Sequence, residues 1–122
     1  MKTKITLSGE CGNSPKNAFA EKVAVAVLAS DSQMLTQALT GDCVAAFPDG
    51  REAKGVEAVL AAIADLGATP EALTITHAIT HGRVGAVNGT IVRSGKRTSF
   101  ALFLDFRNAK ADSIAAISLY RD

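Results

Sequence analysis

Leu73-Thr74-Ile75-Thr76-His77-Ala78-Ile79-Thr80-His81 decides how the C-terminal half of this chain is read. Odd positions carry Leu, Ile, His, Ile and His, while the even ones are mostly Thr. A period of two, rich in β-branched residues, puts successive side chains on opposite faces of a strand and does not suit a helix. By that alternation Leu73, Ile75, His77 and Ile79 share one face, which predicts His77 in an apolar interior. His81, beside Gly82, is expected in solvent.

Downstream the same period continues. Val84 to Val92 reads as a second strand, Thr98 to Phe106 as a third and Ile114 to Tyr120 as a fourth. Gly82-Arg83, Ser94-Gly95-Lys96 and Asn108 to Asp112 supply the turns. Asn88-Gly89 alone would signal a hairpin, but a break there leaves two stubs, so Gly89 is read as a bulge or bend in one long strand. The last two strands are apolar on both sides. Phe100, Leu102, Leu104 and Phe106 oppose Ala101 and Phe103, and Ile114 and Ala116 oppose Ala115, Ile117 and Leu119. An antiparallel sheet with one wet face should alternate cleanly. Two explanations remain open: a homodimer through the outer sheet face, or a sheet curved enough to cover itself.

Upstream the pattern is helical. Ser14-Pro15 is a helix start, with a hydroxyl to cap an orphan N–H and a proline where none is needed. Phe19, Val23, Ala26, Val27 and Ser30 then fall on one face. Asp31 caps a second, shorter helix carrying Met34, Leu35, Ala38 and Leu39, which Gly41 should end. Two short strands follow around Pro48-Asp49-Gly50. A third helix bears Val56, Val59, Leu60, Ile63 and Leu66, with Gly67 as its terminator. The prediction is one α+β domain over residues 1–122: three helices on a strongly curved antiparallel sheet of four long and two short strands, with 1–13 as an N-terminal extension.

Composition narrows the function. The 122 residues are 48% hydrophobic and 20% charged, with a net charge of +1, which suits a folded core. No basic face is concentrated enough for nucleic acid or an anionic membrane, so neither is expected as a partner. No apolar run approaches a bilayer span and no leader pattern opens the chain, so a cytoplasmic location is expected. Cys11 and Cys43 are expected as free thiols.

Cys11-Gly12-Asn13-Ser14-Pro15-Lys16-Asn17, Lys54-Gly55-Val56-Glu57-Ala58-Val59, Thr80 to Thr90 and Ile117-Ser118-Leu119-Tyr120 together resemble the nuclear transport factor 2-like superfamily. That group includes ketosteroid isomerase and polyketide cyclases, and the first and third stretches are similar to a small bacterial subgroup without an assigned reaction. The resemblance implies a cystatin-like cone with a pocket between the concave sheet and the helices, and commonly a dimer. It also implies an inward carboxylate on a central strand, two places after Phe100. Leu102 stands there instead, which weakens any carboxylate mechanism and makes the pocket greasier.

Candidate chemistry is sparse. His77 and His81 on one strand would sit about 13 Å apart, too far to share an ion, so no metal and no cofactor are expected. No nucleophile elbow and no phosphate-cradling loop occur. Asp105, beside Phe103 and Arg107, reads as part of a surface or interface ion pair, and Asp42 as a turn residue that could also reach a cavity rim. His77 is the candidate catalytic base, and Phe19, His77, Asn88, Leu102, Ser118 and Tyr120 are the candidate pocket residues. Asn88, Ser118 and Tyr120 have a second reading, that each satisfies strand or bulge geometry. Three functions remain: a binder of a small, mostly apolar molecule; an isomerase, cyclase or dehydratase in which Asn88 and Tyr120 polarise a carbonyl; and a protein-interaction domain.

Overall fold

The structure, a computed structural model, describes residues 3–12 and 14–122; Met1 and Lys2 of the expected extension and Asn13 of the opening motif lie outside the described residues. The elements run β1 (Lys4–Thr6), α1 (Pro15–Leu28), α2 (Ser32–Ala38), β2 (Leu39–Ala46), β3 (Glu52–Lys54), α3 (Val56–Ala64), β4 (Ala72–His81), β5 (Val84–Arg93), β6 (Lys96–Phe106) and β7 (Ile114–Arg121).

Local chemistry sets the helix starts where the sequence puts them. The Ser14 hydroxyl accepts from the Asn17 N–H at 3.2 Å, and the Asp31 carboxylate accepts from the Met34 N–H at 3.2 Å. The second helix stops earlier than Gly41. Leu39 is already extended, and its side chain enters the core as the first residue of β2.

The strands form one curved, open sheet in the order β1-β4-β5-β6-β7-β2-β3. It is mixed rather than purely antiparallel, because β1 runs parallel to β4 and β2 parallel to β7. The strand β1, read from sequence only as extension, pairs Lys4, Ile5 and Thr6 with Ala72, Leu73 and Thr74. No helix among the described residues is long and apolar enough to cross a membrane.

Besides a register shift in β2 between Leu39 and Val44, two bulges govern which side chains of β4 and β7 point where. In β4, Ile75 pairs with Gly89 but His77 pairs with Asn88, so Thr76 is the extra residue and parity flips behind it. Leu73 and Ile75 face the helices and are buried. Beyond Thr76, Ala78 takes the buried role and Ile79 is 61% exposed. The expected bulge thus exists, but on the strand opposite Gly89. Gly89 makes it possible: a Cβ there would overlap the Thr74 carbonyl oxygen and lie 3.1 Å from the Ile75 Cα. The second irregularity is at Ala115. It lies between Ile114, paired with Phe106, and Ala116, paired with Asp105, so Ile114 and Ile117 both turn inward.

The core fills the space between helices and sheet. Leu73, Ile75, Val87, Ile91, Phe100, Leu102, Leu104, Phe106, Ile114, Ile117 and Leu119 form its sheet side. Val23, Val27, Leu35, Val59 and Ile63 form its helix side. From Ala20 onward α1 is buried around most of its circumference. Part of that cover comes from residues 8–11, which lie over the helix. There the Glu21 carboxylate, nearly fully buried, accepts from the Ser8 N–H at 2.8 Å and the Cys11 thiol at 3.4 Å.

Candidate functional site

The expected pocket residues divide between the two faces of the sheet. Leu102, expected to line the inward pocket, is 0% exposed and pairs with Val87 and Leu119 across the ladders. Phe19 is half-buried, its ring centroid 6.3 Å from that of Phe106, and it lines a cavity of about 220 Å³ with Lys16, Lys110 and Asp112.

The other candidates lie on the outer face, in rows that the ladder registers define. One row runs His77, Asn88, Ala101, Tyr120 across β4 to β7. The next runs Ile79, Ala86, Phe103, Ser118, Ala46. A third runs His81, Val84, Asp105, Ala116, Val44. Ala86 and Ala101 are small and their neighbours are large, so the surface dips. The dent is a cavity of about 360 Å³, lined by His77, Ile79, Ala86, Val87, Asn88, Ala101 and Phe103 and mostly apolar. Tyr120 stands beside it, edge-on to Phe103 with centroids 6.0 Å apart. Ser118 belongs to a neighbouring groove of about 280 Å³ with Val44, Glu52 and Lys54.

His77 therefore corrects the alternation-based expectation. The Thr76 bulge turns it away from the core, and its side chain is 59% exposed. Its Nδ1 lies 2.8 Å from Glu10 Oε1, and its backbone N–H donates to Asn88 Oδ1 at 3.0 Å. Asn88 thus satisfies the bulge, the geometric role the sequence left open for it. Sequence reasoning missed Glu10 and Glu21. Each meets its partner through the segment before α1, and an acid within a helix or an extension reads by default as solvated.

Asp42 and Arg107 form an ion pair at 3.0 Å, and Asp105 has no cation within 4.0 Å among the described residues, so of its two expected roles the surface pair does not form within the chain. A hydrogen bond from the Thr40 hydroxyl and the Arg107 charge hold the Asp42 carboxyl below the usual aspartate range. Asp42, Arg83, Asp105 and Arg107 line a polar cleft of about 370 Å³ at the end of the outer face. No group of three or more potential metal ligands occurs among the described residues. Cys11 and Cys43 are free.

No family model matches the chain, and no curated protein matches it in sequence. Solved structures do. A nuclear transport factor 2-like protein of unknown function from Burkholderia xenovorans aligns over 88% of this chain and 83% of its own, with a TM-score of 0.72 at 16% identity. A protein of ketosteroid isomerase-like fold from Catenulispora acidiphila, solved with trimethylamine, aligns over 88% and 86%, with a TM-score of 0.67 at 19% identity. A de novo designed protein with a curved β-sheet aligns over 90% and 88%, with a TM-score of 0.73 at 16% identity. At these identities what is shared is architecture, and a designed chain sharing it shows that the architecture fixes no reaction. The chain has the nuclear transport factor 2-like cone fold, with helices on the inner face of a curved sheet and a dented outer face.

Proposed function

We propose that this chain is a binding module for a small, mostly apolar molecule, held in the outer-face dent rather than inside the cone. The observation that carries the reading is the dent itself: about 360 Å³ of mostly apolar surface with two polar side chains, His77 and Asn88, at one side. That is the usual makeup of a ligand site, concave and apolar with few orienting groups. The inner face instead meets the helices through one continuous cluster of buried apolar side chains. Among the described residues His77 is the one titratable group lining the dent, which favours binding over turnover by an isomerase-type mechanism.

A second reading concerns what lies over the dent. Ile79, Phe103, Tyr120 and Val84 extend the apolar surface well beyond it. Arg83, Arg107, Asp42 and Asp105 sit at one end with both signs of charge. An apolar centre with a mixed-charge rim is self-complementary about a two-fold axis, so a second copy of this chain is the expected cover. The face would then be both dimer interface and ligand roof, as an interaction domain.

Native mass spectrometry of the purified chain tests both, reporting subunit count and any retained small molecule. Wild type should appear as a dimer and Phe103→Asp as a folded monomer that retains no ligand. A Phe103→Asp protein that keeps its ligand and its mass would overturn the assignment of this face.

A further inference from the structure

We infer that the dent selects a ring-sized apolar molecule bearing a hydroxyl group, a phenol in the simplest case. The inference rests on the binding reading above and specifies its ligand chemistry.

The argument starts at Glu10. A carboxylate can only accept hydrogen bonds, so the 2.8 Å contact between Glu10 Oε1 and His77 Nδ1 requires the proton on Nδ1. In the neutral ring the other nitrogen, Nε2, is then an acceptor with a free lone pair. Asn88 is fixed in the same manner. Its Oδ1 accepts from the His77 backbone N–H at 3.0 Å, which settles the amide orientation and leaves its NH2 as the half open to a ligand. The polar side of the dent therefore offers one acceptor and one donor, on residues that pair directly across β4 and β5.

A hydroxyl answers both at once, donating to Nε2 and accepting from the Asn88 NH2. An ether or ketone has no proton for Nε2, and a carboxylate brings lone pairs against a lone pair. The remaining walls set the body of the ligand. Ala86 and Ala101 make a shallow floor beside the Phe103 ring and the Ile79 side chain, which suits a flat ring offset against Phe103. Glu10 is a positioning residue here, since it acts through the tautomer of His77.

The experiment is a titration of the full-length ¹⁵N-labelled chain in mildly alkaline buffer with four probes of one shape: p-cresol, 4-methylanisole, toluene and p-toluate. p-Cresol should shift the amides of His77, Ile79, Ala86, Asn88 and Phe103 saturably. It should bind about tenfold more tightly than 4-methylanisole or toluene, the size expected for one well-placed hydrogen bond in a partly dry site. Glu10→Gln should weaken the preference for p-cresol over 4-methylanisole while amide dispersion shows the fold intact, because a glutamine amide can donate to Nδ1 as well as accept from it and no longer holds the ring proton there. The ¹⁵N shifts of the His77 ring report that tautomer change directly. Equal affinity for p-cresol, 4-methylanisole and toluene would overturn this inference and leave the dent as a ligand site. Absence of saturable shifts with any probe would remove the dent reading as well.

Discussion

The inner and outer faces of one sheet are built from the same strands, yet they follow different rules. Neighbouring residues Leu102 and Phe103 are 0% and 47% exposed. The inner face is a filled core that meets helices. The outer face carries apolar residues of similar size with none of the described helices over them, and its polar groups His77 and Asn88 are held by Glu10 and by a contact across the ladder. Hydrophobicity alone therefore does not say which side of such a sheet is the core. The two bulges decide it, by choosing which residues of β4 and β7 turn inward.

The hardest way to break this division is at Gly89. Gly89→Ala puts a methyl group into the Thr74 carbonyl, so the β4–β5 register must shift. We expect a loss of more than about 3 kcal/mol, or failure to fold, in denaturant titration. A mild effect there would mean that the Thr76 bulge is not set by Gly89. Next come the paired substitutions Leu102→Ala and Phe103→Ala. The first opens a cavity in the packed face and should cost about 2–5 kcal/mol. The second should leave monomer stability within about 1 kcal/mol of wild type but weaken self-association and ligand retention. Equal stability losses at both sites would erase the distinction between the faces.

Thiol reactivity sharpens the comparison in time. Burial pushes the thiol pKa of both cysteines up, helped by the Glu21 hydrogen bond at Cys11 and the Asp42 charge at Cys43. Both should alkylate slowly at neutral pH. Cys11 should react first, through lifting of residues 8–11, and Cys43 only on global unfolding. Intact mass after timed iodoacetamide exposure reads the order, and simultaneous labelling would show that the segment does not open by itself. The smallest effect belongs to Asp42. Its folded-state pKa is depressed, so its contribution is present above the unfolded value and disappears as pH falls through the folded one. Asp42→Asn should flatten the acid limb of stability slightly in thermal melts taken across that range. A steeper limb would contradict the Arg107 and Thr40 contacts.

Much of this was legible in the sequence where the cause is local. The Ser14 and Asp31 caps, the Pro48-Asp49-Gly50 turn and all four long strands follow from neighbours a few residues apart. The outward turn of His77 was not, because the extra residue in β4 is permitted by a glycine on another strand. Asn88-Gly89 carries the signal and predicts a bulge, but sequence does not say which of two paired strands takes the extra residue. Leu102 did announce a greasier interior, and the structure buries it completely. The strand β1 and the partners of Glu21 depend on pairings between distant segments, which periodicity cannot see.

The parallel pairings of β1 with β4 and of β2 with β7 have a consequence for biosynthesis. Lys4 meets Ala72 and Leu39 meets Ile114, so each early strand leaves the ribosome well ahead of its partner. At roughly 5–20 residues per second that wait lasts several seconds. Closing such long loops also makes folding slow relative to helical domains of this size. During that interval the nascent apolar strands are open to chaperones, and the last strand made is the one that locks the sheet.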